Sequence, residues 1–449
     1  MDPLSRRNLL RLGLSSAAFA SLPGRTFAQA VSQPAPFNDY KALVCVFLFG
    51  GNDSFNMMVP RSNAEYNVYA ASRQNLAIAQ ADLLPINPLN PDGAQYGLHP
   101  NMGAMQNLFE LGQAAFVVNT GPLIEPTTKD QYQNQSVALP PQLFSHNDQQ
   151  DQWLTLKGQT VSATGWAGRI ADLLKDNVAG QQLSLNASLF GNTIFQAGAD
   201  SIAYTMGPTG PLPFSGFADT GIGLEQRLAF ERIVNANYDS IYERGFADVQ
   251  QRAVATADLV TNAIANAPTL NTVFPASQLG TQLQTVARLI AVRDRLSMER
   301  QVYFVATGGF DTHDAQLNQQ PGLIGGISDA IGAFYDATVE LGVANSVTTF
   351  TQSDFGRTLT SNGDGTDHAW GGIQMLTGGA VVGRTVYGSY PLLSIGGADD
   401  VGGGRMIPTT SADQYAATLA RWFGVDPADL AAVAPNIGNF TVQDLGFLA

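Results

Sequence analysis

The chain has 449 residues, of which 45% are hydrophobic and only 13% charged, and its formal net charge is −14. Because there is no basic surplus to neutralise phosphates, the sequence excludes nucleic acid as a partner, and an acidic surface disfavours anionic lipid. The single cysteine, Cys45, lies in an apolar run. No disulfide can form within the chain, so we expect a large hydrophobic core that contains Cys45 as a small buried residue.

Residues 1–30 have the features of a twin-arginine export signal. An SRRNLL motif at residues 5–10 is followed by an apolar run at 12–22 and an A-x-A cleavage site at 28–30, which is the order of a signal rather than of a retained basic helix. We therefore expect a mature chain from Val31 onwards, located in the periplasm or outside the cell. No stretch of it is long and apolar enough to span a membrane.

Five apolar runs predict buried strands of a mostly parallel sheet. They are Lys41–Phe49, Ala114–Val118, Val302–Ala306, Val347–Phe350 and Ile373–Leu376. Helical patterns lie between and after them, at Met102–Leu111, Leu224–Asn266 (as a helical pair), Gln278–Met298, Leu323–Leu341 and Ala412–Phe423. This alternation predicts an α/β fold with a doubly wound sheet, whose sites lie beyond the carboxyl ends of the strands.

The mature chain, residues 31–449, is predicted to form a single α/β domain. Residues 180–222 and 380–410 are predicted to be short strands and loops, because they are rich in glycine and proline. The helical and loop-rich stretch 180–270 is predicted to be a cap or an insertion.

Polar clusters follow three of the predicted strands. Asp53 comes after the first, in a Gly-Gly-Asn-Asp pattern that is equally typical of an ordinary turn. Asp311 and His313 come after the third, and in an extended segment their side chains face the same way. Aspartate and histidine are ligands for zinc or manganese; the alternative is a turn with a surface histidine.

The cluster after the fourth strand contains Asp354, Arg357 and His368. Asp354 and His368 add a second carboxylate and a second imidazole. Arg357 is predicted either to hold an oxyanion by a bidentate contact or to pair with a structural carboxylate such as Asp354.

A fourth segment offers Ser145 and His146 as catalytic candidates. Ser145 is either the N-cap of a helix or a nucleophile at the helix N-terminus, where free N–H groups favour an anion. Carboxylates and imidazoles gathered after separate strands are what a one- or two-metal hydrolytic centre needs. The predicted metal is zinc, with manganese, magnesium or calcium as alternatives, and its predicted ligands are Asp53, Asp311, His313, Asp354 and His368.

These segments resemble the secreted bacterial family known as domain of unknown function 1501. The resemblance is carried, besides the export signal, by FLFGGNDSFN, SHNDQQDQW, VATGGFDTH and TQSDFGRT followed by GTDHAWGG. They occur in the expected order and span most of the mature chain. That family is in turn similar to the alkaline phosphatase and sulfatase superfamily, so the resemblance implies an alkaline-phosphatase-like sheet.

The superfamily pattern also implies roles for individual residues. It implies that Asp53 is the first metal ligand and that Ser145 is the nucleophile. It implies one metal site formed by Asp311, His313 and His368, and a second formed by Asp354 with Asp53 and Ser145.

Two departures from the superfamily pattern affect these roles. A phosphatase has Asp-His where this chain has Asp354-Phe355, so the second site lacks a nitrogen ligand. Neither Cys45 nor Ser145 has the C/S-x-P-x-R context that formylglycine formation needs, so a formylglycine sulfatase is not expected.

The sequence thus predicts an exported metal-dependent hydrolase of phosphate or related esters, with Ser145 or a metal-activated water as the nucleophile. Its substrate would be a small molecule or a surface polymer. The alternative is a non-catalytic scaffold that binds a co-exported or surface protein. Phe355 at a ligand position and the acidic surface rich in Asn and Gln favour this alternative.

Overall fold

A central sheet of nine strands runs through the structure, a computed structural model that describes residues 35–90, 93, 95–212 and 216–449. The predicted export signal, its cleavage site and Val31 lie outside the described residues. The sheet consists of β1 (Lys41–Leu48), β5 (Ala114–Gly121), β6 (Asn186–Ser188), β7 (Tyr204–Thr205), β8 (Arg300–Thr307), β9 (Val347–Ser353), β10 (Gly372–Thr377), β11 (Thr385–Tyr387) and β12 (Thr410–Ser411). A small second sheet contains β2 (Met58–Pro60), β3 (Leu84–Ile86) and β4 (Tyr96–Leu98).

The strand order in the large sheet is β11-β5-β10-β9-β1-β8-β6-β7, and β12 also pairs with β5. Every described pairing in it is parallel except those of β10, which runs antiparallel to both β5 and β9. The prediction of an α/β fold with a mostly parallel sheet is therefore confirmed.

The described residues contain eleven α-helices. They are α1 (Asn63–Arg73), α2 (Gly103–Glu110), α3 (Lys129–Asn134), α4 (His146–Thr155), α5 (Trp166–Leu174), α6 (Gly221–Val234), α7 (Ile241–Ala265), α8 (Gln278–Ala291), α9 (Gln316–Glu340), α10 (Ala412–Phe423) and α11 (Leu430–Val433). Among the described residues, no helix combines the length and apolar character needed to cross a membrane.

Each predicted helical segment contains a helix in the structure, but some of the predicted ends are wrong. The predicted helical pair is α6 and α7, and α10 has the predicted bounds. Helix α8 ends at Ala291 rather than Met298, because the chain makes tight turns over 292–297 before it enters β8. Helix α9 begins seven residues before the predicted start, since Pro321 lies inside the helix instead of limiting it.

The core lies on both faces of the sheet, as the alternation along β1 shows. Val44 and Val46 belong to the buried cluster that contains residues of α2, α8 and α9. Cys45 and Phe47 face the opposite cluster, which contains residues of α5 and α10. Cys45 is fully buried, as predicted, and burial raises the pKa of its thiol well above the ordinary value. Residues Pro36–Ala449 form one compact unit.

Candidate metal centre

Three parallel strands end side by side at one edge of the sheet. Leu48 of β1 pairs with Thr307 of β8 and with Ser353 of β9, so the three following segments start at the same level. The first of these segments bends at Gly50, whose φ is +117°. A Cβ at Gly50 would lie 2.4 Å from the backbone nitrogen of Asp311, so only glycine lets the segments after β1 and β8 approach this closely.

Asp311 is surrounded by three imidazoles. Its Oδ1 lies 3.1 Å from Nε2 of His313 and 3.3 Å from Nε2 of His368, and its Oδ2 lies 3.4 Å from Nε2 of His146. The two nitrogens of His313 and His368 are 2.9 Å apart. Ligand atoms of His146, Asp311 and His368 all lie within 4.8 Å of one another. Three of the chain's four histidines therefore converge on one half-exposed carboxylate.

The other ring nitrogen of each imidazole faces an oxygen. Nδ1 of His146 lies 2.7 Å from Oδ2 of Asp354, and Nδ1 of His368 lies 2.7 Å from the backbone oxygen of Phe144. Nδ1 of His313 lies 3.3 Å from Oδ1 of Asp367. Since each oxygen is an acceptor, we assign the proton of each neutral ring to Nδ1, which leaves a lone pair on every Nε2.

This donor set fits a divalent metal ion. Around a tetrahedral zinc ion with bonds of roughly 2.0–2.1 Å, neighbouring ligand atoms lie about 3.3 Å apart. Four pairs of atoms in this cluster are 2.9–3.4 Å apart. The group whose ligand atoms all lie within 4.8 Å of one another is His146, Asp311 and His368, and His313 borders it through Asp311 and His368. Nitrogen lone pairs that face one another and a carboxylate repel unless a cation lies between them. Burial lowers the pKa of His368, which favours the neutral imidazole that metal binding requires.

Arg357 is buried and uses its donors within the chain. Its Nη1 donates to Oδ1 of Asp311 at 2.8 Å and to the backbone oxygen of Gly50 at 3.3 Å, while Nε and Nη2 donate to Thr366. Partial burial acts to raise the pKa of Asp311, but the hydrogen bond and charge of Arg357 outweigh it and the pKa lies below its ordinary value. Arg357 thus pairs with a carboxylate, which is that of Asp311 and not the predicted example, Asp354.

Phe355 covers the imidazoles from one side. Its ring centroid lies 4.9 Å from that of His146 and 4.6 Å from that of His368. The ring is accommodated by Gly51, whose φ is +81° and where a Cβ would lie 2.2 Å from a Phe355 ring carbon. Phe355, which stands where a phosphatase has a histidine ligand, therefore forms an apolar wall of the centre.

Ser145 is the N-cap residue of α4 by position, but its side chain does not cap the helix. Its Oγ instead donates to Oδ2 of Asp148 at 2.6 Å. Ser145 therefore occupies the N-cap position, directly before His146, without capping the helix. Its hydroxyl proton points to a carboxylate, as a nucleophile with a general base would require.

Asp53 lies in a separate buried network. Its Oδ2 accepts hydrogen bonds from Arg73 and from Gln316, and Arg73 is fully buried. Its backbone oxygen accepts from Gln320. Its Oδ1 is buried without a hydrogen-bond partner. Asp53 is therefore a buried partner of Arg73 and Gln316, apart from the three imidazoles around Asp311.

Several residues around the centre carried no sequence signal. Gln150 donates to Oδ2 of Asp354 at 2.9 Å, one turn after His146 on the same helix. Arg405 donates to the backbone oxygen of His368 at 3.1 Å, and its guanidinium lies 5.1 Å from the ring centroid of Phe144. Their roles depend on contacts distant in sequence, which no local pattern encodes.

Fold and site together define a mixed α/β protein with a histidine- and aspartate-lined candidate metal centre at the carboxyl ends of its parallel strands. The chain belongs to the family described as "Protein of unknown function (DUF1501)", which matches residues 40–434. The family prediction is therefore confirmed. No curated protein matches the sequence.

Similar solved structures include sulfatases and phosphatases. The PsFucS1 sulfatase from Pseudoalteromonas sp. is 10% identical, with 92% of this chain and 72% of that chain covered and a TM-score of 0.35. The lipoteichoic acid synthase LtaP from Listeria monocytogenes is 10% identical, with 87% and 74% covered and a TM-score of 0.35. Alkaline phosphatase from the Antarctic bacterium TAB5 is 10% identical, with 76% and 92% covered and a TM-score of 0.25. Likeness at this level carries no argument about activity.

Proposed function

We propose that the protein is an exported metal-dependent hydrolase of phosphate or related esters. The observation that supports this is the convergence of three imidazole Nε2 atoms on the half-exposed carboxylate of Asp311, each 3.1–3.4 Å from one of its oxygens. The proposed ligands of one divalent ion, zinc in the first place, are His146, Asp311, His313 and His368. Such an ion, when bound, supplies Lewis acidity that polarises an ester oxygen and stabilises the charge that develops on it.

The residues next to these ligands have positioning roles in the proposal. Asp354 holds the ring of His146, and Arg357 holds Asp311, because their hydrogen bonds fix the orientation of each ligand. Asp53 is left out of the ligand set, because its buried carboxylate lies in a separate network with Arg73 and Gln316 and not in the group of His146, Asp311 and His368. We therefore favour one metal ion over two.

Ser145 is the proposed nucleophile. Its Oγ would attack the phosphorus or sulfur atom of the ester while its proton passes to Oδ2 of Asp148. The bond from that atom to the ester oxygen would break, and the alcohol would leave after its oxygen takes up the proton from Asp148. Water would then release the acid from Ser145. Arg405, the half-buried cation that contacts His368 and Phe144, is proposed to attract the anionic group of the substrate.

Elemental analysis of the protein purified without chelator tests the metal centre. We expect about one equivalent of zinc or a similar divalent metal, lost in His368→Ala and kept in His99→Gln. His99 is the matched control, because it is the remaining histidine and its Nδ1 accepts only from the nearby backbone N–H of Asn101. A folded protein without metal would contradict the proposal and favour the non-catalytic scaffold.

Activity toward p-nitrophenyl phosphate, bis(p-nitrophenyl) phosphate and p-nitrophenyl sulfate tests the reaction. Ser145→Ala is expected to lower kcat by about 100-fold or more while leaving the metal content unchanged. An unchanged kcat in Ser145→Ala would assign the attack to water instead. No activity in the metal-loaded wild type toward any of these esters would contradict the hydrolase.

A further inference from the structure

Gln316 is a fully buried glutamine whose side chain joins two parts of the molecule at the start of α9. Its Nε2 donates to Oδ2 of Asp53, while its Oε1 accepts from the hydroxyls of Thr366 at 2.7 Å and Thr312 at 3.1 Å. Because an ionised carboxylate only accepts hydrogen bonds, Asp53 fixes the amide nitrogen on its own side. The amide oxygen therefore faces the two hydroxyls, which must donate their protons to it.

Thr366 connects Gln316 to the guanidinium of Arg357. The hydroxyl of Thr366 has one proton, which it donates to Gln316, so its oxygen presents a lone pair to Nε of Arg357 at 3.2 Å. The backbone oxygen of Thr366 accepts from Nη2 of the same guanidinium. Thr366 and Arg357 are both fully buried, so a donor that lost its acceptor here would have no water to replace it. Thr366 therefore fixes one edge of the guanidinium plane.

The opposite edge of the guanidinium holds the carboxylate of the candidate metal centre, since Nη1 of Arg357 donates to Oδ1 of Asp311 at 2.8 Å. The donors beyond this edge all point one way. Arg357 donates to Thr366, and the hydroxyl of Thr366 donates to Gln316. Gln316 in turn donates to Asp53. Hydrogen bonds in such a one-way series polarise and strengthen one another, so the position of the guanidinium depends on groups that do not touch it.

The far end of the series is itself held firmly. Oδ2 of Asp53 also accepts from Arg73, and both side chains of this ion pair are buried. The backbone oxygen of Asp53 accepts from Nε2 of Gln320 at 3.0 Å, one turn after Gln316 on α9. The carboxylate that receives the last hydrogen bond therefore has a fixed place, and it can orient the amide of Gln316.

We propose that Gln316 is a positioning residue of the candidate metal centre. Through Thr366 it fixes the guanidinium that holds Asp311 in place as a ligand. The inference rests on the proposed function, since it takes Asp311 to bind the ion. A glutamine suits this place because its amide both accepts from hydroxyls and donates to Asp53, whereas a glutamate would set a second carboxylate against Asp53. Asp53 thereby acts on the centre through Gln316, without contacting the ion.

The zinc affinity of the full protein, measured by competition with a chromophoric chelator, tests this role. Gln316→Leu removes both hydrogen-bonding ends of the side chain and is expected to raise the zinc dissociation constant by about 10-fold, as for other groups that orient ligands. The visible spectrum of the cobalt-loaded protein should shift as well, because the ligand geometry changes. Gln196→Leu is the matched control, since Gln196 is also fully buried and its Nε2 donates to the backbone oxygens of Ala187 and Val302. It should lower the free energy of unfolding but leave the zinc affinity and the spectrum unchanged.

A double-mutant cycle with Thr366→Val tests whether the two residues act through one series. Thr366→Val keeps the branched shape but lacks the hydroxyl, so it should also raise the zinc dissociation constant. The double variant should then lose less affinity than the product of the two single losses. Unchanged zinc affinity in Gln316→Leu, an equal loss in Gln196→Leu, or fully multiplicative losses would overturn the proposal. A folded wild type that binds no zinc would instead contradict the proposed function, and the inference would fall with it.

Discussion

Asp354 and His146 are 208 residues apart in the chain, yet Oδ2 of Asp354 lies 2.7 Å from Nδ1 of His146. The residue after Asp354 is Phe355, which cannot bind a metal. An imidazole nevertheless lies next to Asp354, because His146 is the first residue of α4 and its ring contacts this carboxylate. Phe355 after Asp354 departs from the superfamily motif and favours a non-catalytic scaffold. Because of His146, the same departure is also compatible with the ligand set that we propose.

The Asp354–His146 contact makes a prediction about metal affinity. Asp354→Ala removes the carboxylate that orients the ring, so the zinc affinity should fall by about 10- to 100-fold. Competition with a chromophoric chelator measures this. Asp364→Ala removes an exposed loop carboxylate close in sequence and should leave the affinity unchanged. Equal affinity in wild type and Asp354→Ala would show that His146 needs no such support, or is no ligand.

The buried pair of Arg73 and Asp53 makes a prediction about stability. Arg73→Leu leaves a buried carboxylate without its partner, so the free energy of unfolding should fall by about 3–5 kcal/mol. The double variant with Asp53→Asn should regain part of this loss. Denaturant unfolding measures both. Lys175→Ala, which breaks the exposed pair with Asp200, should change the free energy by less than about 1 kcal/mol.

The close fit of Phe355 over Gly51 makes a steric prediction. Gly51→Ala and Gly112→Ala both place a Cβ at a similar positive φ, but only at Gly51 is the space occupied. Gly112→Ala should cost about 1–2 kcal/mol of unfolding free energy, and Gly51→Ala about 1–3 kcal/mol more. In a Phe355→Ala background, Gly51→Ala should lower the free energy of unfolding by no more than Gly112→Ala does. If Gly51→Ala costs no more than Gly112→Ala in the wild-type background, the Phe355 ring does not pack over Gly51.

Asp413 makes a prediction about pH. Burial raises the pKa of this carboxyl from its ordinary value of 3.8 to about 7, against the hydrogen bonds that it accepts from Asn436. Between about pH 4 and pH 7 the folded chain therefore binds the proton more tightly than the unfolded chain, so stability falls as the pH rises. As the pH rises across this window, the free energy of unfolding of the wild type should fall by up to about 4 kcal/mol relative to that of Asp413→Asn. Asp176→Asn, at an exposed position, should keep the wild-type slope.

The sheet could be predicted because its strands are long apolar runs. Lys41–Leu48 is buried on both faces, and such a run has few alternatives to a central parallel strand. The antiparallel direction of β10 could not be predicted, because a buried strand reads the same in either direction. The predicted start of α9 at Leu323 is too late, because Pro321 lies inside the helix although a proline there removes a backbone hydrogen bond.

The sequence could predict that aspartate and histidine residues form the candidate site. It could not predict which of these side chains contact one another. The sequence predicts Asp311, His313 and His368 as ligands because they follow apparent strand ends. His146 was assigned to catalysis beside Ser145, although its Nε2 points to Asp311. Nothing in the segment around Asp53 indicated Arg73 as its partner, because an ion pair between distant segments leaves no periodic pattern.

The order of the candidate ligands along the chain has a consequence for biogenesis. They are drawn from positions 146 to 368, so the centre cannot close until six of the nine strands of the large sheet have been synthesised. Loops of such length are costly to close, and contacts across them form late. Metal uptake would then be a marker of completed folding rather than a nucleus for it, in contrast to small zinc modules. For a chain predicted to leave the cytoplasm already folded, the metal pool of the cytoplasm would decide which ion it carries.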